Sequence, residues 1–184
     1  SSEGTLLKVI DKTTTPMGSR KLKHWITHPL TSIERINERL DLVEFLTTDF
    51  ILTEELKSML DSVFDLERLV SRIVYKTANA RDLNTIKTSL EIISKITEIL
   101  SKTSKFDFLT KLQIPTGLIK EIDSTLKEEV PLVVREGNMI KPGFNSELDS
   151  LREIRTNSKN ILKNIEEQEI TKTGIPSLRI RYNQ

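Results

Sequence analysis

The sequence contains no cysteine. This excludes disulfides, thiolate zinc sites, iron–sulfur clusters and cysteine nucleophiles together, and it suits a reducing, cytoplasmic location. Aromatic residues make up only 5% of the chain and hydrophobic residues 36%, below the usual globular share, so the core has to be assembled from Ile, Leu and Val. Neither sign of charge prevails: 28 Lys+Arg against 27 Asp+Glu leave a formal net charge of +1. A domain devoted to nucleic acid carries a basic excess, because phosphate neutralisation supplies most of its affinity. That excess is absent, although a local basic patch is still allowed. No apolar run approaches the length of a membrane span and no signal-peptide pattern opens the chain, so no membrane partner is expected.

Glycine is scarce too. The six glycines (Gly4, Gly18, Gly117, Gly137, Gly143, Gly174) are isolated, and none lies in a G-x-x-x-x-G-K or G-x-G-x-x-G setting. Five have a local explanation at a turn or helix end, while Gly18 falls in the first turn of a helix, where it would allow close helix packing. Ser1-Ser2 without a methionine suggests a piece cut from a longer protein.

What is present is helical periodicity. A short apolar turn around Leu6, Leu7 and Ile10 gives way to Thr13-Thr14-Thr15. Thr15 before Pro16 reads as an N-cap followed by proline at the first helical position. The helix it opens carries Met17, Leu22, Trp25 and Ile26 and stops before Pro29. Thr31 to Glu34 reads as a capping box, with Ile33, Ile36, Leu40, Val43 and Leu46 marking one helix face behind it.

A short helix is expected from Thr53 to Leu60. Leu66, Leu69, Val70, Ile73 and Val74 form another, and Asn79 caps a long stripe of Leu83, Ile86, Leu90, Ile93, Ile96 and Leu100. A loose polar connection covers 101–117. A further helix then carries Leu118, Ile119, Ile122 and Leu126 and ends at Pro131.

Leu132-Val133-Val134 and Met139-Ile140 around Glu136-Gly137-Asn138 read as a small β-hairpin closed by Pro142-Gly143. Asn145 or Ser146 caps a final helix of about 25 residues, ended by Gly174 and Pro176. Leu178, Ile180 and Tyr182 alternate with Arg179 and Arg181, which reads as the start of a strand. Within the last helix Leu148, Leu151 and Ile154 begin an apolar stripe that Ile161, Leu162 and Ile165 resume, while Arg155 to Asn160 offers no large apolar residue. Such a helix reads as an arm meeting a partner along a narrow seam.

The candidate chemistry is slight. His24 and His28 stand i,i+4 on one helix face, but Trp25 replaces the glutamate of H-E-x-x-H and no third ligand is evident, so exposed helix histidines are the preferred reading. Arg20, Lys21 and Lys23 form a basic cluster read as a solvated face, as are Glu166, Glu167 and Glu169. No Ser/His/Asp set has support. These residues describe a non-catalytic, all-α domain with a protruding arm, with no catalytic, cofactor or metal residue assigned.

Several stretches resemble a known family. Gly4-Thr5-Leu6-Leu7, Asp11-Lys12-Thr13, Thr15-Pro16-Met17-Gly18-Ser19-Arg20, Leu22-Lys23-His24-Trp25-Ile26 and Pro29-Leu30 resemble the opening of the core domain of MutS, the DNA mismatch-repair ATPase. The segments 36–43, Asp65-Leu66-Glu67-Arg68-Leu69 and Ala80-Arg81-Asp82-Leu83 continue the likeness. Residues 140–149 look like the start of that family's long lever helix, and Lys172-Thr173-Gly174-Ile175 with Leu178 like its far end.

The resemblance implies a multi-helix core bundle over residues 1–143, then an outgoing lever helix and the start of a clamp strand over 144–184. It implies a non-catalytic connector between an ATPase and a DNA clamp. ATP and magnesium would belong to the parent's ATPase domain, and double-stranded mismatched DNA to its clamp and mismatch-reading domains, none of which lies in this chain. A second MutS subunit and a returning lever helix would be its protein partners. A stand-alone helical interaction module, and a MutS paralogue serving recombination, are the alternatives.

Overall fold

The computed structural model of the chain describes residues 4–179. Among them there are eight α-helices: α1 Leu6–Ile10, α2 Pro16–Thr27, α3 Ile33–Thr48, α4 Phe50–Asp61, α5 Leu66–Val74, α6 Ala80–Leu100, α7 Thr116–Thr125 and α8 Ser146–Thr173. The chain divides after Met139 into two compact units, the first holding α1 to α7 and the second α8.

Local capping explains most of the helix starts. Thr15 accepts the amide of Gly18 at 3.0 Å with Pro16 behind it, as expected. Asn79 and Asp82 form a reciprocal capping box at the head of α6, each accepting the other's backbone N–H at 2.8–3.0 Å. The start of α3 corrects the expectation by one residue. Ser32, not Thr31, is the N-cap; it accepts the Arg35 amide and its hydroxyl donates to Glu34 at 2.6 Å. The fourth helix begins three residues early, at Phe50, because Asp49 ends α3 and caps α4 through the Leu52 amide at 3.0 Å.

The core of the first unit gathers around α6, against which α4, α5, α7 and a 3-10 segment at Ser104–Lys111 pack. Leu56, Val63, Leu69, Ile86, Phe106, Ile122, Leu126 and Val130 are buried. Phe106 lies in what reads by sequence as a polar connection, yet its ring is in the core and meets Phe45 edge-on with centroids 5.6 Å apart. Two of the three buried residues of α6 are polar, Asp82 and Ser89. Ser89, 0% exposed, accepts the Phe64 amide at 3.2 Å and donates to the Thr85 carbonyl at 2.9 Å, so its burial leaves nothing unpaired.

The α3 stripe is a second correction. Ile33, Leu40 and Val43 are 71%, 57% and 55% exposed; of the expected stripe only Leu46 is half-buried, together with Arg39, Leu42 and Phe45 from outside it. The apolar face is wider than the surface this unit offers to cover it.

The hairpin expected over 132–140 does not form, and among the described residues there is no strand. Val134–Glu136 makes a short 3-10 turn, Gly137 and Asn138 take φ of 68° and 58°, and the Met139 carbonyl accepts the Lys127 amide at 2.9 Å. The two apolar runs are too short to form a ladder of their own, and Met139 pairs with the segment that leaves α7 instead. The strand start expected at 178–182 lies mostly outside the described residues; Leu178 and Arg179 are not in a strand.

In the second unit α8 runs 28 residues without a break, slightly longer than expected. Asn145 caps it through the Leu148 amide at 2.9 Å, and Gly174 ends it in the left-handed region at φ 70°. A Cβ there would be strained.

Candidate functional site

The side chains that bear the family likeness form structural nodes in each unit. The first is built on Thr15–Arg20. Asp11 accepts the Thr13 amide at 3.0 Å, the Thr13 hydroxyl at 2.7 Å and the Ser19 hydroxyl at 2.5 Å. These donors, Ser19 first and then Thr13, hold its carboxyl below the ordinary range. A Cβ on Gly18 would stand 3.0 Å from Thr15 Oγ1 and 3.2 Å from Thr13 Cβ. The closeness that requires glycine therefore comes from the threonine loop ahead of α2, not from another helix.

Arg20 closes the node. Its Nη1 and Nη2 donate to the two oxygens of Asp65 at 3.0 and 2.7 Å, and its Nε donates to Glu67 at 2.8 Å. The sequence cluster Arg20, Lys21 and Lys23 is therefore not one solvated face, because Arg20 joins α2 to the head of α5. Asp65 is also the N-cap of α5, accepting the Arg68 amide at 3.3 Å. The Asp65 hydrogen bonds raise the guanidinium above its usual range, and Arg20 in turn lowers the Asp65 carboxyl. Trp25, further along α2, is met by Arg39 of α3, whose Cζ lies 4.0 Å from the ring centroid, a cation–π contact.

A second node lies at the head of α6. Arg81 Nε donates to the Val130 carbonyl at 2.9 Å, and Asn84 Nδ2 to those of Lys127 and Glu128 at 2.7 and 3.1 Å. Asp82, besides capping α6, pairs with Arg72 of α5 at 2.9 Å. Lys87 reaches Asp123 of α7 at 2.9 Å, a contact that raises the lysine's pKa. Side-chain donors thus tie the segment after α7 and α7 itself to α6. The sequence reading marked Arg81 and Asp82 only through the family likeness and missed Asn84. A donor-rich helix head carries no periodic signal.

The third node is the root of α8. Gly143, at φ 85°, donates its amide to Asp149 Oδ2 at 2.6 Å. Asp149 Oδ1 accepts from Arg152 Nη1 at 2.8 Å, and Arg152 Nη2 donates to the Ile140 carbonyl at 2.8 Å. The Gly143 amide foremost, and then Arg152, lower the Asp149 carboxyl. The loop 140–145 and the first turns of α8 are one hydrogen-bonded body. At the other end Arg179 meets Glu166 at 3.0 Å across the Gly174 turn. Glu167 and Glu169 pair with Lys163 and Lys172 at 3.9 and 2.9 Å. The three glutamates read as solvated charge are each ion-paired; the pairs of Glu167 and Glu169 are exposed and contribute little, while the Glu166 side chain is largely covered.

His24 and His28 stack, with ring centroids 4.5 Å apart and planes 21° off parallel, and Thr27 Oγ1 lies 2.9 Å from His28 Nδ1. Among the described residues no group of three or more His, Asp or Glu is placed to hold a metal ion. Likewise no helix there is long and apolar enough to cross a membrane. What the nodes do chemically is hold helices and loops in fixed relation within each unit.

The profile of MutS domain III matches residues 1–177. The chain belongs to the MutS domain III family. The DNA mismatch repair protein MutS of Methanosarcina barkeri is 41% identical over 189 residues, covering 99% of this chain and 21% of that protein. That of Caldanaerobacter subterraneus is 43% identical, over 100% of this chain and 22% of its own length. That of Thermotoga maritima is 42% identical over 97% of this chain and 22% of its length. The MutS domain III chain therefore spans about a fifth of the curated relatives it matches.

Proposed function

We propose that this chain is the core and lever connector of a MutS-type DNA mismatch repair protein. In this reading residues 1–143 are the helical core, and 144–184 the outgoing lever helix and the start of the clamp. The parent protein binds ATP with magnesium, works as a dimer and grips mismatched double-stranded DNA, while this segment carries force between ATPase and clamp and turns over no substrate itself.

The observation that supports it is α8. It is a continuous 28-residue helix capped by Asn145 and Gly174, about 40 Å long at 1.5 Å per residue, and its root is fixed by Asp149 and Arg152. A capped helix anchored at its base transmits displacement along its axis. The near-zero net charge suits a strut whose DNA contacts lie elsewhere.

The test is made in the full-length MutS carrying this segment. Gln168→Pro removes a backbone donor within the far half of α8 and costs the helix about 3 kcal/mol. ATP hydrolysis without DNA should persist, while ATP-dependent change in DNA retention should be lost. Retention that responds to ATP as in the unaltered protein would sink the connector reading.

A further inference from the structure

Among the described side chains, the middle of α8 is held by less than either end. The root is locked by the Gly143–Asp149–Arg152–Ile140 network. The far half carries the pairs Lys163–Glu167, Lys172–Glu169 and Arg179–Glu166. Among the described side chains, no ion pair on α8 involves residues 155–160.

The composition of that stretch points the same way. Thr156, Asn157, Ser158 and Asn160 are all weaker helix formers than alanine, because their side chains compete for backbone groups or lose rotamer freedom. Two of them do compete. Thr156 Oγ1 donates to the Arg152 carbonyl at 2.9 Å and Ser158 Oγ to the Arg155 carbonyl at 2.8 Å, back-bonds that weaken and bend a helix. Ser150, Thr171 and Thr173 make single ones in the flanks, so what sets 155–160 apart is the run of weak helix formers and the lack of ion pairs among the described side chains.

Ser158 stands four residues after Ile154 and three before Ile161, so it occupies the seam position where the neighbouring turns present Ile and Leu. A helix lying along this seam meets a hydroxyl at its centre.

We infer that residues 155–160 are a built-in joint of α8, a stretch that opens and bends while the turns on either side remain intact. The lever is then two stiff rods in series with a soft coupling between them. The joint itself follows from α8 alone; its use in carrying force between ATPase and clamp rests on the connector reading.

Hydrogen exchange followed by mass spectrometry on the full-length MutS carrying this segment tests it. Amides of 155–160 should exchange faster than those of 147–153 and 162–170. The variant Thr156→Ala/Asn157→Ala/Asn160→Ala, which leaves Ser158 in the seam, should slow that exchange roughly tenfold. Even protection along α8, or unchanged exchange in the triple variant, would overturn the joint. The Gln168→Pro experiment fails or succeeds independently: fast exchange at 155–160 with ATP response intact in Gln168→Pro would leave the joint standing and remove the connector.

Discussion

The guanidinium of Arg20 and the carboxylate of Asp65 face each other fork to fork, through bonds of 3.0 and 2.7 Å between residues 45 apart in sequence. The same carboxylate caps α5, so one side chain starts a helix and receives the arginine that orients it. Lysine can supply the charge but not the planar pair of donors. Arg20→Lys is expected to lower the urea midpoint, Arg20→Ala to lower it further, and the Arg20→Ala/Asp65→Ala double variant to lose less than the sum. Strict additivity in that cycle would mean that the two residues do not act together.

Acid should probe the same nodes. Asp11, Asp65 and Asp149 are all held below the ordinary carboxylate value of 3.8 by their donors. A carboxyl whose pKa falls on folding contributes stability that is fully present above its unfolded pKa, and loses it as pH drops through the folded value. Unfolding free energy should therefore hold down to that ordinary value and decline below it. Asp65→Asn should shed part of that decline, and an unchanged acid limb in this variant would count against the assignment.

Asp82 is buried, caps α6 and pairs with Arg72. Removing it leaves the Asn79 amide and Arg72 without their acceptor. Asp82→Ala is expected to cost about 2–3 kcal/mol in chemical denaturation, and Asp82→Asn, which keeps an acceptor oxygen, about 1 kcal/mol. Equal losses in the two variants would show that the charge alone matters.

The apolar side of α8 should drive association. Leu151, Ile154 and Ile161 are more than half exposed, and Leu162 and Ile165 more than a third, a larger apolar strip than a solitary helix usually leaves in water. The 184-residue chain should show a mass by light scattering that rises with concentration, and Leu151→Glu/Ile165→Glu should return it to monomer. A strict monomer with slow amide exchange along 146–170 would contradict this.

How much of this was legible beforehand differs from element to element. The α2 cap at Thr15-Pro16, the α6 cap at Asn79 and the Gly174 end of α8 were readable, and the start of α8 to within Asn145 or Ser146, since each depends on residues within three or four positions of the helix end. The shift from Thr31 to Ser32 has the same origin, because adjacent hydroxyls offer nearly equal caps and periodicity does not choose between them. The supposed hairpin failed for a different reason. Alternation and a Gly-Asn turn are local, but the partner of Met139 is Lys127, and nothing within 132–140 names it.

The sequence by itself therefore determined most of the helices, the caps at Thr15 and Asn79 and the Gly174 end of α8, the absence of thiol and phosphate-loop chemistry, and the family likeness, because these depend on spacing within a turn or on short ordered motifs. Only the tertiary structure decided what those motifs are for. Burial of Phe106 and Ser89, capture of Arg20 by Asp65 and the hold of Arg81 and Asn84 on the chain after α7 are contacts over 25 to 61 residues. Their pairing follows from packing, which brings side chains together irrespective of their distance along the chain. The low aromatic content and balanced charge noted at the outset acquire a physical meaning there: a small core, completed by polar side chains that satisfy one another and the backbone.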